Sequence, residues 1–471
     1  MQNWLKRSLL VIGIFGLCWI GAVWYWRSTT RMPDTGDLAL AMLVMPLTLI
    51  MSFVLARKTF AAADAPAAVR AGAQGPAATP GAPELQAGQG AQAGNANGTA
   101  QAPDAAAPWQ PFAVAGTALR MAHGDSPAEL AAAIAEGEAR LDLDPELTDL
   151  QGFPLLAGRV PDIDMEALEE WLSTLQPAPR TPSPQHLRAM ALGGDIAASL
   201  AARATALGSE SVLQMLPLLP AEWPATTQVL ATRWLEHCAT EAGCPKDRLL
   251  VRQPAAAAHA SASAAPPAPA TALAALRSVA SQAAAANAPT INLLLACGSD
   301  IDADAIEQLA VNGKLYGPRN PNGRMPAEGA AGILLQSPKD AGDELRLLAL
   351  HAKEDATLRE LAEEALAQAN GEKPAYVAAD TDHRAALMSD LMQCVEAAAP
   401  GLDANTSLAC VGAACGHTGA VGTLAAIALA HEQAMDSGNL ALALANSDPT
   451  QRYALLVGPL PAPASKAPSL S

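Results

Sequence analysis

The segment 410–434, CVGAACGHTGAVGTLAAIALAHEQA, holds the residues of this chain that come nearest to a catalytic set. Cys410, Cys415 and His417 lie in a glycine-rich turn, directly before an alanine-rich stretch typical of a helix. A helix N-terminus favours a cysteine thiolate, and a neighbouring histidine can serve a nucleophile as its base. Cys415 and His417, however, are two residues apart on a turn, so their side chains should point apart. We expect His417 to cap the helix or hydrogen-bond the turn, with a nucleophilic Cys415 as the less favoured alternative.

Other familiar catalytic patterns are missing from the sequence. There is no GxxxxGK[ST] phosphate loop, no GxSxG elbow, and no GxGxxG in the strand-to-helix context that a dinucleotide site needs. The segment 237–244, HCATEAGC, has one histidine and two cysteines, which is an incomplete ligand set for zinc. We find no pair of carboxylates in an apolar context, as glycosidase chemistry would need. The sequence therefore predicts neither a metal nor a cofactor.

The net charge indicates which partners the chain can bind, and the cysteines indicate the compartment in which it lies. The chain has 471 residues and a formal net charge of −17. A nucleic-acid-binding protein would show a basic face, so this balance predicts no nucleic-acid partner. The cysteines include no CxxC pair and are typical of small buried side chains in a reducing compartment. They stand at positions 18, 238, 244, 297, 394, 410 and 415.

Two apolar runs near the N-terminus predict a membrane hairpin within residues 1–60. Residues 8–26 contain no charge over 19 positions, and residues 38–56 form a second run with Pro46 near its middle. A cleaved signal peptide is the alternative for the first run, but a second span follows it. Basic residues at 6, 7, 57 and 58 flank the pair on its outer sides. This bias predicts that both termini, and hence the large C-terminal body, are cytoplasmic.

A low-complexity segment joins this hairpin to the body. Residues 61–109 are nearly all Ala, Gly, Pro and Gln and cannot bury enough apolar surface to order the chain, so we predict a disordered linker. Similar composition predicts a mobile loop at about 253–272 and a disordered tail at 461–471. The body between them, at 110–460, alternates short apolar runs with helical patterns, and this rhythm predicts an α/β layered fold.

Several stretches in this body predict specific elements. The apolar runs PFAVAGTALR, INLLLACGSD, GAAGILLQS and DELRLLALHA predict strands, and LALALANSD with RYALLVGPL predicts a strand pair. The stretches TLRELAEEALAQA and HRAALMSDLMQCVEAAAP predict helices, and TSLACVGAACGH predicts a strand and a turn. A further helix begins near Ser126, which we predict as its N-cap, with Pro127 at the first helical position.

The order of these segments resembles that of the thiolase-fold β-ketoacyl synthases. INLLLACGSD followed by YGPRNPNGRMPAEGAAGILL (316–335) is similar to a buried strand and strand entry of that family, and CGHTGAVGTLAAIALA is similar to its GH…GAAG turn and helix. The likeness covers most of 112–459 and is weakest at 175–290. It implies a thiolase-like layered α/β/α body, with halves at 110–340 and 341–460, behind two transmembrane helices and a disordered linker.

The resemblance also implies which catalytic groups should be present. A ketoacyl synthase needs a cysteine nucleophile, two histidines and a lysine. The nucleophile would fall in VRQPAAAAHASASAAPPAPA, which has no cysteine. Asp380 stands where the first histidine is expected, with His383 out of register, and Gly412 stands where the lysine is expected; only His417 is kept. We therefore predict a pseudoenzyme, with His417, Cys415 and Asp380 as vestigial site candidates.

The whole layout also resembles the type VI secretion lipase-adapter family. That likeness implies a non-catalytic protein of the bacterial inner membrane, two-pass, that recruits a lipase effector and loads it onto the VgrG spike. The ketoacyl-synthase likeness adds a possible homodimer. The alternative is a membrane-tethered condensing enzyme that acts on acyl thioesters.

Overall fold

In the computed structural model, the described residues all belong to one compact unit that begins at Thr99. They are 109, 111–176, 181–208, 210–252, 271–285, 289–337, 345–353, 356–369, 371–448 and 451–459. Among these residues, no helix has both the length and the apolar character needed to cross a membrane.

Several predictions fall outside the described residues. They are the two membrane spans at 8–26 and 38–56, the linker apart from Trp109, the loop at 253–270 and the tail. The boundary between two halves at about residue 340 also stays a prediction.

The described part contains twelve strands and ten α-helices. The strands are β1 (Phe112–Met121), β2 (Asp142–Thr148), β3 (Pro154–Ala157), β4 (Val212–Leu218), β5 (Leu249–Val251), β6 (Thr290–Ser299), β7 (Glu328–Gln336), β8 (Arg346–His351), β9 (Tyr376–Ala379), β10 (Leu408–Cys410), β11 (Ala441–Ala445) and β12 (Tyr453–Gly458). The helices are α1 (Pro127–Ala135), α2 (Glu166–Thr174), α3 (Pro184–Leu207), α4 (Ala225–Glu241), α5 (Ala272–Ala285), α6 (Ala303–Val311), α7 (Leu358–Leu366), α8 (Ala385–Ala398), α9 (Val411–Cys415) and α10 (Ala420–Ser437).

Ten of the strands form one sheet of order β10-β9-β11-β12-β8-β1-β7-β6-β4-β5. Strands β10, β9 and β11 are parallel to one another, as are β6, β4 and β5, and the strands between these groups pair antiparallel. Only two residue pairs, Phe112 with Leu347 and Ala113 with Arg346, join β1 to β8. This narrow join separates two five-stranded groups, β10-β9-β11-β12-β8 and β1-β7-β6-β4-β5, which are called the two sheets below. Strands β2 and β3 form a separate hairpin.

Alternate residues of each strand face different apolar layers, so both faces of the sheet are covered. Leu294 and Ala296 of β6 belong to a central cluster with α1, α5 and α10, while Leu293 and Leu295 pack outward against α3 and α4. On the other group of strands, Leu455 joins the same central cluster and its neighbours pack outward against α7 and α8. The arrangement is therefore helix–sheet–helix–sheet–helix.

Helix α10 lies in the central layer and contacts strands of both groups, including β7 and β6 on one side and β11 and β9 on the other. Every residue from Val421 to His431 is buried. A helix that is apolar all round is typical of the core of a large domain. Its many alanines allow the two sheets to approach it closely. The candidate functional site lies at the N-terminus of this helix.

Candidate functional site

A cavity of about 640 Å³ opens where the carboxyl ends of β4, β6, β9 and β11 meet the first residues of α5 and α10. Crevices at the carboxyl ends of parallel strands are where α/β proteins commonly bind ligands. Its apolar lining includes Leu218, Leu219 and Trp223. Its ionisable lining consists of His186, Glu222, Asp300, Lys314, Arg324, Asp380, Arg384, His417 and Asp448, together with Tyr453 and the thiol of Cys297. The mixed lining could hold a ligand with both polar and apolar parts.

His417 lines this cavity and is held by a buried carboxylate. Its backbone N–H donates to the carbonyl of Met325 at 3.1 Å, and its Nδ1 lies 3.6 Å from Oδ2 of Asp382. Arg384 also binds Asp382, with Nε 2.8 Å from Oδ1. Burial acts to raise the pKa of Asp382, but its pairing with His417 and Arg384 lowers it well below the usual range. Asp382 therefore stays ionised and can orient the imidazole.

The suggested helix cap is wrong for His417. The N-cap of α10 is Gly419, and no side chain caps that helix. Gly419 has a φ of 57°, a backbone conformation that a glycine adopts without strain. The backbone conformation of this turn therefore favours glycine at position 419. The imidazole of His417 does not cap the helix and lies beside Asp382 instead.

Asp380 also lines the cavity, but its side chain is fully engaged by its surroundings. Oδ1 accepts the backbone N–H groups of Asn446 (2.8 Å) and Ser447 (3.0 Å), and Oδ2 accepts the hydroxyls of Ser447 (2.8 Å) and Thr423 (2.9 Å). Burial raises the pKa of Asp380, although these hydrogen bonds act to lower it. The carboxylate ties the end of β9 to the segment after β11 and to α10. This role is structural, and it leaves no spare lone pair for a proton transfer.

Cys415 does not line the cavity. The predicted turn after β10 is instead the short helix α9, which ends at Cys415, and its side chain packs in the central core. Burial raises the pKa of the Cys415 thiol to about 12, so the thiol is protonated at neutral pH. The structure thus brings His417 and Asp380 to one cavity and leaves Cys415 out of it. That these three residues descend from a catalytic set stays a prediction.

The other cysteines in the described part share this character. Burial raises the pKa of Cys297, the one thiol that lines the cavity, to about 12. The same cause raises the pKa of every remaining described cysteine, namely Cys238, Cys244, Cys394 and Cys410. Because the thiolate is the reactive species, none of these described thiols is poised as a nucleophile.

Gly412, at the position where the ketoacyl-synthase likeness predicts a lysine, leaves no room for a side chain. A Cβ there would lie 2.6 Å from the carbonyl oxygen of Asp380 and 3.0 Å from Cβ of Asp382. The backbone of the 380–382 segment occupies the space that the lysine stem would need. A lysine at position 412 is therefore incompatible with the close packing of α9 against the segment that follows β9.

Sequence reasoning missed two carboxylates, Asp382 and Asp300. Asp382, like the candidate Asp380, is buried. Their polar neighbours in AADTDHR made the segment look like an exposed turn. Asp300 was also passed over: it lines the cavity, and burial raises its pKa to about 6 although His417 and Arg324 act to lower it. Its place directly after the buried strand β6 was the available signal.

Several solved structures similar to this chain are ketosynthases. The ishigamide ketosynthase/chain length factor is 15% identical, covers 75% of this chain and 100% of its own, and superposes with a TM-score of 0.50. The oxazolomycin ketosynthase domain OzmH KS7 of Streptomyces albus (13% identity, 76% of each chain, TM-score 0.48) is also similar. So is the ketosynthase from module 6 of the bacillaene synthase of Bacillus subtilis (12% identity, 75% of this chain and 73% of its own, TM-score 0.49). At 15% identity, the likeness to the first of these structures shows the fold alone: a mixed α/β, thiolase-like ketosynthase fold.

The family comparison is more specific. Residues 340–459 match the family model described as the C-terminal part of the type VI lipase adapter protein Tla3. This segment runs from just before β8 to just after β12 and contains Asp380, Asp382 and His417. No curated protein matches the sequence. Both resemblances seen in the sequence, to the ketosynthase fold and to the lipase adapters, are confirmed, the second over these residues.

Proposed function

We propose that this chain is a non-catalytic, membrane-anchored adapter that recruits a lipase effector for type VI secretion and loads it onto the VgrG spike. The observation that carries the proposal is the match of residues 340–459 to the type VI lipase adapter family. An adapter needs a stable body with partner-binding surfaces, and an enzyme fold can supply one without its chemistry.

The absence of catalysis is supported by the state of the thiols. Acyl transfer through a cysteine requires a thiolate beside the substrate, and each cysteine among the described residues has its pKa raised by burial. The backbone around Gly412 leaves no space for a lysine side chain. The carboxylate of Asp380 already accepts four hydrogen bonds, so it is not available to bind a substrate. Asp382 can orient the imidazole of His417 as a base, but no nucleophile among the described residues lies beside it to be deprotonated.

The alternative is a membrane-tethered condensing enzyme that acts on acyl thioesters. One observation favours it: the cavity of about 640 Å³ beside His417 is large enough for a sizeable ligand. The segment where its nucleophile would have to lie contains no cysteine, so such an enzyme would need an unusual nucleophile.

The membrane and spike parts of the proposal rest on the sequence. The uncharged apolar run at 8–26 and the second run at 38–56 are long enough to span a bilayer, and the flanking basic residues favour a cytoplasmic body at the inner membrane. In the proposed role the lipase meets the VgrG spike in the cytoplasm before secretion, which is where this topology would hold the body.

One experiment separates these possibilities. The full chain is expressed in a bacterium, extracted from the membrane fraction in mild detergent, and mixed with purified candidate lipase effectors from the same source. We expect recovery in the membrane fraction, a stable complex with the lipase, and VgrG in that complex when it is added. In a parallel reaction, radiolabelled acyl-carrier thioester should transfer no label to the chain. Acyl labelling without lipase binding would support the condensing enzyme and overturn the adapter.

A further inference from the structure

The hairpin of β2 and β3 presents three large apolar side chains to solvent. Leu143 is 62% exposed, Leu150 is 59% exposed and Phe153 is 67% exposed. Leu143 lies on β2, and Leu150 and Phe153 lie on the turn that joins the two strands. Single exposed apolar residues are common, but three on one short hairpin are typical of an interaction surface.

The opposite face of the hairpin is firmly attached to the body. Leu147, Leu155 and Ala157 form a buried cluster with Ile301 and Ile306, so the hairpin packs on α6 and on the residues just before it. Asp144 adds a buried ion pair with Arg159, with Oδ2 2.7 Å from Nε. The apolar tip is therefore carried on a fixed support.

Hydrogen bonds also fix the tip itself. Oδ1 of Asp149 accepts the backbone N–H groups of Gln151 (2.8 Å) and Phe153 (2.9 Å), and the Asp149 N–H donates to the Phe153 carbonyl at 2.8 Å. Gly152, with a φ of 83°, completes the turn in a conformation that suits glycine. A fixed tip loses little conformational entropy when it binds, so Leu150 and Phe153 are presented as preorganised anchors.

The hairpin and the chain after it are rich in acidic residues. The hairpin contains Asp142, Asp144, Glu146 and Asp149 and no lysine or arginine, although Arg159 just after it pairs with Asp144 and with Glu146. Further acids follow in α2 and just before it. The added acids are Asp162, Asp164, Glu166, Glu169 and Glu170, all exposed. The apolar tip thus lies within a negatively charged stretch of the chain. A complementary partner would have an apolar pocket framed by lysine or arginine.

We infer that the β2–β3 hairpin is the surface on which this chain docks the lipase effector, through an apolar pocket with a basic rim on the lipase. The inference rests on the proposed function and adds the binding face to it. Leu150 and Phe153 enter the pocket, since aromatic and large apolar anchors dominate binding energy. The acidic residues speed association and orient the lipase.

Charge decides between this occupant and two others. A two-fold contact between copies of the chain would place the same acidic patch on both sides, where like charges repel. An anionic membrane surface would repel the patch in the same way. A basic partner is the occupant that both the apolar tip and its acidic surroundings favour.

The test measures binding of the purified lipase to the full chain in detergent by surface plasmon resonance. The double variant Leu150→Ala with Phe153→Ala should raise the Kd for the lipase by about 30-fold or more and leave the Tm of the chain unchanged. The matched control truncates two exposed apolar residues elsewhere, Val229→Ala on α4 and Met435→Ala on α10, and should change Kd by less than about twofold. The charge variant Asp142→Asn with Glu146→Gln should slow association at low salt and reduce its salt dependence.

The outcomes distinguish this inference from the function beneath it. If the wild-type chain binds no lipase, the proposed function fails and the docking surface falls with it. If the wild-type chain binds and the Leu150 and Phe153 variant binds equally well, the function stands and the hairpin is not its surface. Ultracentrifugation that shows a wild-type dimer lost in this variant would assign the hairpin to a second copy. Binding of the wild-type chain, but not of this variant, to vesicles of phosphatidylglycerol and phosphatidylethanolamine would assign it to lipid. Either assignment overturns the inference.

Discussion

Individual polar residues around the cavity serve the framework more than any reaction. Glu328 is completely buried, and its carboxylate accepts the Val160 N–H at 2.9 Å, the Ser299 hydroxyl at 2.9 Å and Nε of Arg188 at 2.8 Å. This carboxylate ties β7 to β6 and α3. Asp380 does the same for β9, β11 and α10. Buried charges with full sets of partners are expensive to disturb, so these positions hold the two sheets in place.

His431 gives the residue scale its clearest pH prediction. It lies in α10 with 6% of its surface exposed, and burial, with the nearby Arg203, lowers its pKa from 6.5 to about 4. The unfolded chain takes up the proton below pH 6.5 and the folded chain does not. His431 therefore does not lower the unfolding free energy of the protein above pH 6.5, and it lowers it progressively as the pH falls from 6.5 toward 4. Between pH 7 and pH 5 we expect His431 to cost about 2 kcal/mol of unfolding free energy.

Comparison with His431→Leu isolates this effect, because leucine fills a similar volume and does not titrate. Urea unfolding of both proteins at pH 7 and pH 5 gives the change in their stability difference. His123 and His186 have pKa values lowered by burial and contribute in the same direction, while Asp300 contributes in the opposite direction, but all three are present in both proteins. An unchanged difference between the two pH values would show that the imidazole of His431 is not held neutral.

The central helix provides the prediction at the scale of elements. Ala428 of α10 is completely buried in the central layer, and replacing it with leucine adds three carbon atoms at this position. We expect Ala428→Leu to lower the unfolding free energy by about 1–3 kcal/mol or more. Ala132→Leu on the exposed face of α1 has the same intrinsic helix effect and should stay within about 0.5 kcal/mol of the wild type. Equal stabilities in denaturant titrations would contradict the close packing of α10.

Most of the elements predicted from apolar runs are present in the structure. The run 291–300 is β6 (Thr290–Ser299), the run 329–337 is β7, and β11 and β12 pair antiparallel as expected. These strands are buried on both faces, so their sequences are continuously apolar and easily seen. Ser126 is the N-cap of α1, and its hydroxyl accepts the N–H of Glu129. Local signals of this kind need no tertiary context.

Elements with weaker local signals were not predicted. The region at 175–290, where the resemblance is weakest, contains the long helix α3 (Pro184–Leu207), whose small residues give little contrast between faces. The short helix α9 follows β10 where a turn was expected, because VGAAC has neither a cap nor a periodic pattern. For the site, His417 could be chosen from its turn. Asp300 could have been chosen from its place directly after the predicted strand, but Asp382 could not, since its importance comes from burial and from its contact with His417.

At the scale of the whole molecule, the region matched by the adapter family is not an independent structural unit. Residues 340–459 supply β8 to β12 and α7 to α10. Helix α10 from this region packs equally on strands outside it, because it contacts β7, β6 and β1 as well as β11, β9 and β12. The central core is thus shared by both groups of strands. Folding of residues 340–459 alone would leave one face of α10 without a partner, and the other group of strands alone would lack α10 altogether.

We therefore predict that a fragment of residues 340–459 does not reach a native state, although the complete chain does. Without β1, β6 and β7, the fragment exposes side chains of α10 that are buried in the complete chain, such as Ile427. Such a loss of packing with retained secondary structure gives a molten globule, with far-ultraviolet but no near-ultraviolet circular dichroism and with binding of a hydrophobic dye. For residues 109–459 the shared core predicts a single cooperative unfolding transition. A sharp unfolding transition of the 340–459 fragment would show instead that the family-matched region folds on its own and that α10 is stabilised by one sheet alone.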